Sequence, residues 1–146
     1  MTQLTLGRSA SGESVQISEV NFGDVAMARI KQYMDNAPVN RRGEKETITT
    51  SKIRNILEMT NNIYNNVFYL TGDELPNGIL SDIAYLKIKM AYESGREKTV
   101  EDFVKRSCLM NPISEIIKSK RKDVLLLYCR YVESLVAYFK FYGGRD

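Results

Sequence analysis

The segment Asp123–Tyr142 constrains the fold more than any other. It reads DVLLLYCRYVESLVAYFKFY, which on a helix is apolar over more than half the circumference. The polar window is narrow and holds Arg130, Glu133, Ser134 and Lys140. Such a helix is stable in water only with other helices around it, so it belongs at the centre of a bundle. Gly143-Gly144 is its stop signal. Within the window Arg130 and Glu133 stand at i,i+3 and are able to pair.

Upstream segments supply the neighbours. After Asn21, the residues Phe22, Val25, Ala26, Ala28, Arg29, Ile30 and Tyr33 are spaced for one helical face. Residues 36–48 read as a loop, punctuated by Pro38 and Gly43. Thr49 or Thr50 is placed to cap a second helix. Along it Ile53, Ile56, Leu57, Thr60, Ile63, Tyr64, Val67 and Phe68 form one stripe. Lys52 and Arg54 fall on opposite flanks of that stripe, stems packed and charges outward.

Pro76-Asn77-Gly78 turns the chain into a third helix over about Ile79–Ser94, which Gly95 is expected to end in the left-handed conformation. This helix has two apolar faces. Ile79, Ile83, Leu86 and Met90 form one; Ala84, Tyr85, Ile88 and Tyr92 form the other. It is therefore either buried between neighbours or carries a partner interface. Lys87 lies in an apolar arc between Leu80 and Ile83, where a cation must snorkel or meet an anion. Thr99 and Asp102 have the spacing of a capping box for a fourth helix through about Met110. Pro112 interrupts that helix and permits a short continuation over Ile113–Ser119.

Leu4-Thr5-Leu6 and Val15-Gln16-Ile17 alternate, but they are short beside the helical segments. The expected fold is all-α, a compact bundle of about five helices. Residues 21–146 would form a single helical domain behind a polar, loosely ordered N-terminus at 1–20. A chain of 146 residues has room for one such domain.

Composition narrows the chemistry. There is no histidine, which excludes serine and cysteine triads, zinc-peptidase motifs and imidazole general-base catalysis. Cys108 and Cys129 are too few for a disulfide framework or a metal cluster and suit a reducing cytosol. Without a histidine to lower their pKa, both are expected to pack. The longest apolar run, Val124–Cys129, is far short of the ~18 residues of a membrane span. The first residues hold no hydrophobic block, so no signal peptide is expected. Asp73-Glu74 and Glu101-Asp102 sit at a turn and a helix start, where acids serve the helix dipole rather than catalysis. No catalytic residue, metal site or cofactor is expected.

The charge is uneven. The chain totals +3, yet segment 41–54 has five cations (Arg41, Arg42, Lys45, Lys52, Arg54) against two acids. Segment 105–122 has six (Lys105, Arg106, Lys118, Lys120, Arg121, Lys122) against Glu115. These segments carry +3 and +5, so the rest of the chain must sum to −5. Clustered cations beside an acidic body fit a polyanion partner; solvated helix ends and loops account for them equally well. The aromatic residues Tyr64, Phe68, Tyr85, Phe103, Tyr128, Tyr131 and Tyr138 fall on apolar faces and are expected in the core. That leaves cations and amides, rather than base-stacking rings, as the nucleic-acid contacts.

Three segments in order resemble a known family. Thr49-Thr50-Ser51-Lys52-Ile53-Arg54-Asn55 is similar to the T-[ST]-S-K-[IL]-R-N helix start in the small subunit of type III-A CRISPR effector (Csm) complexes. Tyr85-Leu86-Lys87-Ile88-Lys89 with Tyr92-Glu93-Ser94-Gly95-Arg96 resembles that family's Y-L-K…Y-E-[AS]-G-R segment. Tyr128–Tyr138, closing on Phe141-Tyr142-Gly143-Gly144-Arg145-Asp146, resembles its C-terminal helix. The similarity covers about residues 49–146, and residues 1–40 match no pattern of the family.

The resemblance implies a cytoplasmic, helical, non-catalytic subunit, several copies of which stack along a ribonucleoprotein filament. Its implied partners are target RNA and guide RNA, the backbone subunits, the large polymerase-like subunit and further copies of itself, with no membrane. The RNA-binding residues carried over are Lys52, Arg54, Lys87 and Arg96, and Arg130 where it is not spent on Glu133. Arg41 and Arg42 are added by charge alone. Guide pairing supplies specificity in such an assembly, so a protein surface that reads phosphates suffices. Two other readings stand beside this one. In a small DNA-binding regulator, Thr50–Asn55 would open a recognition helix; a protein-interaction module would use the third helix's second apolar face.

Overall fold

The structure, a computed structural model, describes residues 2–8 and 14–144. The described residues form a β-hairpin and six helices: β1 (Gln3–Arg8), β2 (Ser14–Ser18), α1 (Phe22–Asp35), α2 (Thr50–Phe68), α3 (Asn77–Arg96), α4 (Lys98–Ser107), α5 (Asn111–Ser119) and α6 (Lys122–Phe141). Helix α6 is central, packing on α1, α2, α5 and β1. Its apolar surface, from Val124 through Tyr128, Tyr131 and Leu135 to Phe139, is buried.

Helix α2 lies antiparallel to α6, tied at both ends and the middle. Lys122 Nζ donates to the Phe68 and Leu70 carbonyls, Cys129 Sγ to Thr60 O, and Lys140 Nζ to Thr50 Oγ1. Two buried phenols of α6 hold the turn between α4 and α5. Tyr128 donates to Leu109 O at 2.7 Å and Tyr131 to Ser107 O at 2.6 Å, so neither hydroxyl is buried unpaired.

The helical bundle is as expected, with differences at the junctions. Cys108 adopts the left-handed conformation, φ 58°, and ends α4 before Pro112, which makes α5 a sixth helix. Gly95 does not stop α3: the ladder continues to Glu97 N–H, which donates to Glu93 O at 3.1 Å. The start of α4 is Lys98, capped in position by Glu97, so Thr99 and Asp102 are not a capping box.

The alternating triplets at the N-terminus do form strands. They pair antiparallel with Leu4 opposite Ile17 and a bulge between Thr5 and Gly7. Leu4, Leu6 and Ile17 are buried in the common core. A lone hairpin is marginal in water, so this one depends on its cover of α5 and α6. Glu115 accepts from Thr5 N–H at 3.2 Å and Asp123 from the Thr2 hydroxyl at 2.7 Å. Of the expected loosely ordered 1–20, Met1 and residues 9–13 lie outside the described residues, as do Arg145 and Asp146.

Thr49 is the N-cap of α2: its Oγ1 accepts from Lys52 N–H at 3.3 Å. Thr49→Ala should lower stability by about 1 kcal/mol and Thr49→Ser should restore it, measured as urea midpoints at constant slope. Equal midpoints for all three proteins would show the cap contributes nothing.

Candidate nucleic-acid interface

The cap at Thr49 fixes the first turn of α2 and with it the two cations that follow. Lys52 Nζ stands 3.3 Å from Glu97 Oε1 and 3.4 Å from Glu93 Oε2, across the seam to the end of α3. Hydrogen bonds to Glu97 and then Glu93 raise its pKa, so it stays charged. Arg96 meets the same carboxylate, Nη1 to Glu93 Oε1 at 3.6 Å, with its guanidinium 5.5 Å from the Tyr92 ring centre. Glu93 therefore gathers Lys52 and Arg96 into one cluster. Lys89, one turn earlier on α3, shares with Lys52, Asn55, Met59 and Glu93 a small depression between the helices.

Arg54 points elsewhere. It is exposed, makes no ion pair among the described residues, and lines an open depression of about 510 Å³ with Thr50, Ser51, Asn55 and Glu58. Lys87 is half-buried and donates to Ser114 Oγ at 3.3 Å. It meets a hydroxyl rather than an anion, beside Lys105 in a depression of about 360 Å³. Arg130 is exposed at the edge of a fourth depression, about 250 Å³, against Thr2, Glu19 and Phe22. It forms no ion pair with Glu133 among the described residues. Arg41 and Arg42 are exposed on a loop closed by a Val39–Lys45 bridge. The structure thus joins Lys52 to Arg96 and leaves Arg54, Lys87 and Arg130 in separate depressions.

Part of the basic run 118–122 is committed internally. Arg121 pairs with Asp123, and Lys122 caps the carbonyls at the end of α2. Lys105 pairs with Glu101 at 3.6 Å. Both cysteines are buried, and burial pushes the Cys129 thiol up to about 12, as packing residues require. Among the described residues, no helix is long and apolar enough to cross a membrane.

The family model for Csm2 Type III-A matches residues 27–145, which takes in α1 from its sixth residue and all of α2 to α6. The chain belongs to the Csm2 family. It is a small, structural subunit of the type III-A CRISPR complex. The CRISPR system Cms protein Csm2 of Enterococcus italicus is 35% identical over 148 residues, covering 98% of this chain and all of the relative. The Csm2 proteins of Streptococcus thermophilus and Mycobacterium tuberculosis are 39% and 32% identical over 99 residues, 68% of this chain and 76% and 78% of theirs. The Enterococcus match also reaches the first forty residues, to which the sequence motifs assign no counterpart.

In this Csm2 chain two aromatic assignments are corrected. Phe103, Tyr128 and Tyr131 are buried and Tyr64 and Tyr138 half-buried, but Phe68 is 47% exposed and Tyr85 57%. Tyr85 belongs to the second face of α3, which stands open with Ile88 and Tyr92. Apolar periodicity alone does not distinguish it from the first. A different signal does: Tyr85 and Tyr92 each precede a cation by four residues.

Proposed function

We propose that this subunit acts without catalysis in the cytoplasm, binding target RNA and the guide–target duplex through their phosphates within a type III-A interference complex. The observation that supports this most is the family-matched first turn of α2, which carries Lys52 in the cluster with Arg96 and, on its opposite flank, an exposed Arg54 that makes no ion pair among the described residues. Lys87, Arg130, Arg41 and Arg42 would make further phosphate contacts elsewhere on the subunit. Lys52 and Arg96 would exchange their carboxylates for phosphate, and Arg54 would engage without such an exchange. Backbone subunits, the large polymerase-like subunit and further copies of the chain complete the set of partners.

The test is fluorescence anisotropy of a ~40-nucleotide single-stranded RNA against salt concentration, with duplex DNA as control. The log–log slope should fall by about 0.7 per phosphate contact. Lys52→Ala, Arg54→Ala and Lys87→Ala together should flatten it by about two units, with thermal melting near wild type because exposed ion pairs contribute little. A triple variant that binds like wild type would overturn the assignment. The open α3 face favours a second reading, as a protein-interaction module, which absence of RNA affinity at low salt would support.

A further inference from the structure

We propose that α3 presents a stacking strip for unpaired RNA bases, built from two copies of one unit: Tyr85 with Lys89, and Tyr92 with Arg96. This rests on the RNA-binding reading above and names bases, beyond phosphates, as what the surface contacts. In each unit a cation four residues on lies over the ring, 5.4 Å from the centre for Lys89 and 5.5 Å for Arg96. The units are seven residues apart, so on a helix they share a face and stand about 10.5 Å apart along its axis. Tyr85 and Tyr92 are 57% and 59% exposed, and Ile88 is open between them.

Three large side chains left open on one face point to a covering partner. The cations decide its chemistry. Tyrosine and arginine serve protein interfaces too, but lysine is depleted there, and rings each paired with a cation suit single-stranded nucleic acid, with the base on the ring and the phosphate at the charge. Lys87 adds positive charge from the side of α3 that faces α5, its ammonium on a hydroxyl rather than a carboxylate. The acids near the strip are Glu93, shared by Lys52 and Arg96, Glu97, which also holds Lys52, and Asp82. A separation of about 10.5 Å spans three rises of about 3.4 Å, which lets both rings engage one short stretch of strand. Stacking is tolerant of sequence, as a guide-programmed assembly needs.

The full chain should be titrated into a labelled ~20-nucleotide unstructured RNA and a duplex RNA of equal length, at several salt concentrations. Tyr85→Leu with Tyr92→Leu should weaken single-strand binding at least about tenfold, leave the salt slope unchanged and spare the duplex. Tyr85→Phe with Tyr92→Phe, which keeps the rings, should bind within about twofold of wild type. A leucine variant that binds like the wild type would overturn the strip and leave phosphate binding standing. If the wild type bound no RNA at low salt, the RNA-binding reading would fail and the strip with it. A leucine variant that loses self-association in sedimentation, with RNA affinity intact, would reassign this face to a second copy of the chain.

Discussion

Phe139→Ala should destabilise the protein by about 3–5 kcal/mol, whereas Phe141→Ala should change stability by no more than about 0.5 kcal/mol. The two rings are neighbours on α6 with opposite fates: Phe139 is 0% exposed and Phe141 76%. Phe139 also underlies the C-terminal turn. Gly143 there has φ 83°, and Gly144 N–H donates to Phe139 O at 2.8 Å. Gly144 sits so close to the Phe139 ring that no Cβ would fit between them. Removing the ring leaves a cavity in the core beneath the end of α6 and withdraws the seat of that turn. A domain stable by about 5–15 kcal/mol would lose a large share, visible as a urea midpoint shifted with little change in slope. Equal midpoints for the two variants would mean that α6 does not hold the core.

Leu6→Ala should cost about 2–5 kcal/mol, although Leu6 lies on the short strand β1 rather than on a helix. Its side chain is 0% exposed, and Leu4 and Ile17 are buried beside it under α5 and α6. Gln3→Ala on the same strand alters an exposed side chain and should be near neutral. Circular dichroism during urea unfolding separates the outcomes. Were the hairpin a loose tail, Leu6→Ala would leave the midpoint where it was. A single cooperative transition in both proteins would also show that hairpin and helices unfold together.

Much of the candidate site was legible before any coordinates. The stripe from Ile53 to Phe68 sets Lys52 and Arg54 on its flanks, and Thr49 caps where capping chemistry places it. Lys87 sits at the edge of the core with its ammonium on Ser114, as its apolar arc requires. Lys52, by contrast, reads in sequence as an outward charge, yet it lies between Glu93 and Glu97, over forty residues on. Gly95 reads as a stop, but α3 runs one residue past it and brings Arg96 onto Tyr92.

By itself the sequence determined which segments are helical, though not every junction between them, that α6 takes the centre, and which family the chain joins. Each of these follows from local quantities: apolar period, capping residues and ordered motifs. Only the tertiary structure decided which of the two apolar faces of α3 is buried, because periodicity orients a face about its own axis and says nothing of the neighbour that meets it. It decided which cations are committed, since pairing depends on where α2 and α3 meet. It also made strands of two short triplets that have no stability of their own until α5 and α6 stand beneath them.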